Sequence, residues 1–425
     1  MTENNQHSVA LGTTDSTPPA RSQGPRQFLA RTEEDVLAFV QNTLGFVPQR
    51  SCVLISTCES SFRAVLRVDL PALDDPVGED EFPISTGFFD RVATTLRTDP
   101  KADGCFMLLQ SEDDTVGDPG PVDRLAGYRR FAANLQEHLR HHQLPAQEVW
   151  VLSPHRVWHL DCAHGAECPV QGATLDATEN SFLDLSMRAD GVDTPRGPND
   201  LVLPFNAQRL AEQLETWPAM DPTQRHQVAE ANTPEQIRAL YADLQAWDRL
   251  LSGETLPQSL ESTEWCDLVR GLGEDRYRDM VLNIACFGLE PALAGAIHLG
   301  LIPQGYADEF DVIPTATSGT QFSQAFIGAS DTVADWTRIQ RFEDCARYAM
   351  SIYDGPEVLV LGIYLVYIEW VRGRGSIAAN YHRQLQHAGG DGYELLNLLG
   401  KTLDRGMVCD WAKDAQRAWS SSGRT

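Results

Sequence analysis

Apolar and polar positions alternate with two different periods along the chain, and the change falls near residue 205. Before it, short strand-like apolar runs are mixed with helical patterns. Residues 51–57 and 62–68 are two such runs separated by a short polar turn, which is the spacing of an antiparallel hairpin. Residues 149–152 and 157–160 form a second pair of this kind. Hairpins among helices predict a mixed sheet covered by helices, and not a purely parallel doubly wound sheet.

Helical periodicity is clearest in three places. Thr32 has the position of an N-cap, and Val36, Val40 and Leu44 then recur every four residues. Apolar residues also step by three and four across residues 125–139. Beyond residue 205 strand signals fade and helical periodicity continues to the end of the chain. The fold class is therefore predicted as α/β (α+β), with an N-terminal mixed β-sheet domain followed by an all-α C-terminal domain of helical hairpins.

The same pattern predicts the domain organisation. The polar N-terminus lacks apolar periodicity and is expected to be disordered. A second polar stretch, rich in Gly, Thr and Ser, interrupts the helical half and is expected to be a long loop. The predicted parts are a disordered tail at 1–26, a mixed α/β domain at 27–205, a helical region at 206–303, a polar loop at 304–330 and a C-terminal helical domain at 331–420.

Charge and composition narrow the class of partner. The chain has 60 acidic and 34 basic side chains and a net charge of -26, so its overall field repels polyanions. Neither a nucleic acid nor a membrane is therefore expected as partner. The longest apolar run, residues 358–368, is shorter than the roughly 20 residues of a membrane span and predicts a buried helix. Nine cysteines and an N-terminus without a signal-peptide pattern favour reduced thiols and a cytoplasmic location.

A loop with two cysteines carries the candidate metal chemistry. Cys162, His164 and Cys168 lie close together after the second hairpin, and His159 precedes them on its outgoing strand. Thiolates and imidazoles are the ligands that zinc prefers, so these four residues form a candidate zinc site, with His155 of the same hairpin as the alternative to His159. The five-residue spacing differs from the knuckle of zinc ribbons. The leading interpretation is a packed loop with buried thiols, and a metal site or a thiol redox pair is the alternative.

Arg67 and Asp69 form a second candidate site, this one for a ligand. They lie two positions apart on a predicted strand and so point to the same face. The pair can bind a ligand together, or it can form a structural ion pair that fixes the end of the strand. The sequence leaves both interpretations open.

Four segments together resemble one protein family. They are residues 44–51 (LGFVPQRS), 67–71 (RVDLP), 162–172 (CAHGAECPVQG) and 370–373 (WVRG). Their order and spacing resemble the actinobacterial domain of unknown function family 4192, over about residues 28–411. The resemblance implies the fold but no activity or cofactor. Relatives commonly have a cysteine where this chain has Glu167, which would replace a thiol with a harder oxygen ligand if a metal bound there.

Catalytic motifs are missing from the sequence: it has no nucleophile elbow, no kinase signature and no complete nucleotide-binding loop. The leading hypothesis is a non-catalytic binding or regulatory protein with a cleft or partner surface between the α/β and helical domains. Its partner would be a protein or a small molecule. The alternative is a metal- or thiol-dependent enzyme centred on the Cys162 to Cys168 loop, and the second alternative is a structural zinc site only.

Overall fold

The computed structural model describes residues 30, 32–59, 61–70, 73, 84–112, 125–160, 172–175, 181–189, 201–204, 233–353, 355–414 and 416–419. The strands are β1 Ser51–Cys58, β2 Ser61–Asp69, β3 Gly104–Gln110, β4 Ala146–Leu152, β5 Arg156–His159 and β6 Ala173–Thr174. The helices of the first half are α1 Glu33–Leu44, α2 Thr86–Leu96, α3 Leu125–His141 and α4 Phe182–Ala189. The second half begins with α5 Pro234–Ser252, α6 Ser262–Gly271, α7 Asp275–Phe287, α8 Leu289–His298 and α9 Ala316–Ala325. It ends with α10 Trp336–Ile352, α11 Val358–Val371, α12 Gly375–His387, α13 Glu394–Asp404 and α14 Asp410–Lys413.

The six strands form one sheet in the order β2-β1-β3-β4-β5-β6. Both predicted hairpins are present, because β1 pairs with β2 and β4 pairs with β5 in antiparallel fashion. The centre is parallel, since β3 and β4 run in the same direction with α3 as their crossover. The register of β1 and β2 shifts between Ile55 and Thr57, so β2 has one extra residue there. β2 is the terminal strand at one edge.

Helices cover the sheet on both faces, which confirms the predicted fold class. One face packs against α2 and α3 through buried side chains such as Phe89, Phe131 and Met107. The other face packs against α1 through Val36 and Val40. The consecutive apolar residues of β1 explain this burial on both faces, because Cys52 and Leu54 enter one layer while Val53 and Ile55 enter the other.

Local sequence determines where the first helix begins and ends. The Thr32 hydroxyl accepts a hydrogen bond from the Asp35 N–H at 3.3 Å, as expected for an N-cap. The helix ends at Gly45, whose φ of 78° lies in the left-handed region that favours glycine. This ending directs the chain toward β1 and places Phe46 in the core of the helical half.

The helical half has one continuous core rather than several. Its buried side chains come from α5 through α14 and include Trp247, Phe342 and Trp411. Helix α11 is buried around its whole circumference, which confirms the buried helix expected from the apolar run. No helix in the described part of the chain is long and apolar enough to cross a membrane. The predicted domain boundaries stay predictions.

The segment 304–330 differs from its predicted loop. It contains a 3-10 turn, Gln304–Tyr306, and the helix α9, so the loop prediction is wrong for these residues. Thr315 and Ser318 form a reciprocal capping box at the start of α9. The helix packs on α8 with small residues at the contact. Because it is rich in Ser, Thr and Gln, it lacks the apolar periodicity by which helices were predicted.

The close contact between α8 and α9 leads to a testable expectation. A Cβ atom at Gly295 would lie 2.6 Å from Phe322 Cβ and 2.8 Å from the backbone oxygen of Ser318. Although alanine favours helices, Gly295→Ala should therefore lower the free energy of unfolding by about 1–3 kcal/mol, as for overpacked cores. Gly305→Ala is the control, because no atom lies within 4 Å of its added Cβ. Equal urea-unfolding curves for the two variants would contradict this packing.

Candidate functional site

A cleft of about 1710 Å³ separates the β2 edge of the sheet from the C-terminal helices. One wall consists of β2 together with α2 and the turn that follows it. The opposite wall consists of the turn between α11 and α12, part of α12, and residues 403–408, 410, 412–414 and 416–419. The cleft therefore lies between the α/β part and the helical part of the chain.

The charge of this cleft is opposite to that of the chain. The described residues that line it include ten Arg or Lys side chains and five Asp side chains. In the whole sequence acidic side chains outnumber basic ones, at 60 to 34. Cations thus outnumber anions two to one at the cleft while the remainder of the chain is strongly acidic, and a charged concave wall of this kind concentrates ions of opposite sign.

Ion pairs neutralise some of these lining cations. Four pairs join residues within the lining: Arg63 with Asp99, Arg67 with Asp69, Lys413 with Asp410, and Arg417 with Asp414. Two further arginines pair with buried glutamates behind the wall. Among the described residues that line the cleft, four exposed cations have no ion-pair partner: Arg91, Lys101, Arg383 and Arg405. The unpaired positive charge lies on both walls.

Arg67 and Asp69, the candidate ligand residues, lie together at the cleft. Arg67 Nη2 forms an ion pair with Asp69 Oδ1. Arg67 Nε also donates to Ser51 Oγ at 2.8 Å, across the hairpin. The Arg67 side chain is 17 % exposed and that of Asp69 is 80 % exposed. The carboxylate can thus move away to solvent and leave the guanidinium available, while a ligand role for the pair stays a prediction.

Arg63 is held differently on the same strand. Its Nε and Nη2 donate to both carboxylate oxygens of Asp99, at 2.6 and 2.8 Å. Burial raises the pKa of the Asp99 carboxyl, but hydrogen bonds from Arg63 and the Lys101 backbone N–H outweigh it and hold that pKa below its ordinary value. Arg63 is therefore a fixed part of the wall that ties β2 to the turn after α2.

A buried cluster of arginines and glutamates supports the opposite wall. Glu369 accepts from Arg374 Nε and Nη2 at 2.5 and 2.7 Å, and from Arg372 Nη1 at 3.3 Å. Arg372 Nη1 also lies 2.5 Å from Glu343 Oε2, and Arg347 Nε lies 2.9 Å from Glu343 Oε1. Three cations thus share two carboxylates, and the cluster carries one surplus positive charge in a desolvated setting.

The turn between α11 and α12 brings two of these arginines to the cleft. Gly373 adopts a φ of 78°, which reverses the chain within one residue. The ring of Trp419 lies against both guanidinium groups, with its centroid 5.1 Å from Arg372 Cζ and 5.2 Å from Arg374 Cζ. Within the described residues Arg372 Nε has no hydrogen-bond partner. The arginines are held by carboxylates on one side and by an aromatic ring on the cleft side.

Three of the four segments that carry the resemblance meet at this place. Segment 44–51 contacts segment 67–71, because Arg67 bonds to Ser51. Segment 44–51 also meets the turn after segment 370–373, because a Cβ at Gly45 would lie 3.3 Å from Arg374 Nη1. Residues far apart in sequence therefore lie together at the cleft.

The candidate metal site lies largely outside the described residues. Cys162, His164 and Cys168 belong to the undescribed segment 161–171, so their role stays a prediction. His159 Nε2 lies 3.5 Å from Glu33 Oε1, and its Nδ1 lies 3.9 Å from Glu148 Oε2. Among the described residues, no group of three or more His, Cys, Asp or Glu side chains could hold a metal ion.

The described cysteines are free thiols and mostly core residues. Five of the seven are buried. Burial raises the pKa of the Cys105 thiol to about 12, and likewise that of Cys286. These two thiols are protonated at neutral pH and are poor nucleophiles.

Sequence reasoning missed most of the cleft. The cations without partners are spread between positions 91 and 405, and no local spacing connects them. Arg67 and Arg372 did have a signal, because each belongs to one of the four segments used for the resemblance. The rest of the site depends on long-range packing.

The architecture defines the chain as a mixed α/β sheet protein with a helical C-terminal half. The family model described as "Domain of unknown function (DUF4192)" matches residues 34–297 of the 425. The chain belongs to this family. The match ends before segment 370–373, so the wider extent of the resemblance stays a prediction. Neither the curated proteins nor the solved structures include a match to this chain.

Proposed function

We propose that this chain is a non-catalytic binding protein whose ligand is anionic and occupies the cleft between β2 and the C-terminal helices. The observation that carries the proposal is the reversal of charge, with ten cations against five anions in the described lining of a strongly acidic protein. An acidic surface around a basic cleft directs anions to that cleft and repels them elsewhere.

The lack of ion-pair partners at four lining cations also supports an anionic ligand. The side chains of Arg91, Lys101, Arg383 and Arg405 are exposed and lack ion-pair partners in the described structure, so a ligand need not break an internal pair to reach them. Arg63, Arg372 and Arg374 are held by carboxylates and preserve the shape of the walls. The exposed cations are therefore available to a ligand, whereas the three paired arginines hold the walls in place.

A cytoplasmic location belongs to the same proposal. It is supported by the odd number of nine cysteines in the sequence and by the free state of the seven described ones.

Charge reversal on both walls tests the proposed function. The probes are inorganic polyphosphate, followed by calorimetry, and a fluorescein-labelled ten-residue peptide of alternating Glu and Val, followed by anisotropy. The double variant Lys101→Glu, Arg383→Glu should bind either probe at least about tenfold more weakly, equivalent to about 1.4 kcal/mol. Binding should also weaken as salt is added.

The control is a double variant with the same change of charge outside the cleft, Lys401→Glu, Arg249→Glu. Both of its positions are exposed, and neither lines the cleft. It should bind both probes as the natural chain does. The proposal fails if neither probe binds, or if the control variant loses as much affinity as the cleft variant.

A further inference from the structure

β2 has a free hydrogen-bonding edge. The Ala64 N–H donates to Ser56 Oγ at 3.0 Å, and the Leu70 N–H donates to Arg50 O at 2.8 Å, so the backbone of these even-numbered residues faces β1. Backbone direction alternates along an antiparallel strand. Val65, Arg67 and Asp69 therefore direct their N–H and C=O groups away from β1, on the side where no described strand pairs with β2.

This free edge faces the cleft. All eight residues from Phe62 to Asp69 contribute to the lining, although their side chains alternate between the two faces of the sheet. The lining also includes residues of α1, which covers one face of the sheet, and of α2, which covers the other, so the cleft runs along the edge between the two faces. At roughly 3.3 Å per residue the exposed edge is about 26 Å long.

The dimensions suit a polymer better than a metabolite. The cleft volume of about 1710 Å³ exceeds the roughly 300–1,000 Å³ of small-molecule pockets. An extended chain that lies along β2 would be accompanied by cations on each wall, with Arg91 and Lys101 on one and Arg383 on the other.

We propose that the cleft binds an extended acidic peptide segment of a partner protein, which adds to the sheet as a strand beside β2. The inference rests on the proposed anion-binding function and specifies its ligand. A peptide offers alternating N–H and C=O groups, and both are needed to satisfy the free edge. A nucleic-acid backbone offers phosphate oxygens, which are acceptors only, and would leave the β2 carbonyl groups unpaired. Acidic side chains of the peptide match the surplus of cations in the cleft. Hydrogen bonds between the two backbones contribute affinity that does not depend on the sequence of the peptide.

Val65→Pro removes one N–H donor from the free edge of β2 and leaves the hydrogen bonds between β2 and β1 in place. Val65→Pro should bind the labelled Glu-Val peptide at least about tenfold more weakly than Val65→Ala, which also loses the valine side chain but keeps the N–H. Proline is tolerated on an edge strand where its nitrogen faces away from the sheet. Inorganic polyphosphate, which has no amide groups, should bind both variants equally. Circular dichroism and thermal melting establish that both variants are folded.

A modified peptide tests the reciprocal hydrogen bonds on the natural chain, those from the peptide N–H groups to the β2 carbonyl groups. A poorly folded Val65→Pro variant therefore does not prevent a decision. A version of the Glu-Val peptide with every backbone nitrogen methylated keeps its charges and loses its donors, and it should bind at least about tenfold more weakly. If it binds as tightly as the parent while Lys101→Glu, Arg383→Glu still weakens both, the strand-addition inference is wrong and the anion-binding function stands. A single-stranded oligonucleotide that binds more tightly than the peptide and displaces it would overturn the choice of peptide. Failure of every polyanion would overturn both proposals.

Discussion

Glu369→Gln is expected to lower the free energy of unfolding by about 3–5 kcal/mol, as is typical when one partner of a buried ion pair is removed. The Glu369 side chain is 1 % exposed and serves both Arg372 and Arg374. Without its charge, three buried or partly buried arginines share the single carboxylate of Glu343. The Arg372 side chain is 1 % exposed and cannot reach water, so the cost of leaving its charge uncompensated is large. Urea unfolding monitored by circular dichroism measures it.

The control for this change is Glu254→Gln, an isosteric substitution at an exposed loop position. It should alter the free energy of unfolding by no more than about 0.5 kcal/mol. If Glu369→Gln were equally harmless, the cluster would not hold the wall of the cleft together.

The stability of the protein should also fall in acid because of Glu343. Burial raises the pKa of this carboxyl, but the charges of Arg372 and Arg347 outweigh burial and lower the pKa from 4.5 to about 2. A group whose pKa is lower in the folded state stabilises it above the unfolded pKa, and this contribution is lost as pH falls toward the folded pKa. As the pH falls from about 5 to about 2, protonation of Glu343 should therefore lower the free energy of unfolding by roughly 3 kcal/mol.

The variant Glu343→Gln isolates this contribution from those of other acidic groups. It has no proton to gain, so its stability deficit relative to the natural chain should be largest at pH 7 and should shrink as pH falls from 5 to 3. Urea unfolding of both proteins at pH 7, 5, 4 and 3 supplies the comparison. A deficit that stays constant over this range would show that Glu343 does not titrate with a lowered pKa.

Local patterns predicted the elements whose signals lie within a few residues. The hairpin of β1 and β2, the cap at Thr32 and the buried helix α11 all follow from short-range periodicity and turn chemistry. The ion pair of Arg67 and Asp69 is also local, since alternate residues of a strand share a face. These features need no knowledge of what the strand packs against.

Other features depend on residues distant in sequence, so no local pattern contains them. The helix α9 has a polar composition, and its position is fixed by packing on α8. The contact of Gly45 with Arg374, and that of Arg372 with Glu343, bring together positions from separate parts of the chain. The composition likewise does not predict the positive charge of the cleft, because a net charge of -26 is a sum over surfaces that differ in sign.

Amide hydrogen exchange with and without the Glu-Val peptide tests most directly whether a ligand binds along the free edge of β2. The N–H groups of Val65, Arg67 and Asp69 should exchange rapidly in the free chain and become protected when the peptide binds. Those of Ala64 and Leu70, which already bond toward β1, should change little. Protection that alternates in this way would support a strand added to β2 within the basic cleft. Binding without any change at these three amides would contradict it.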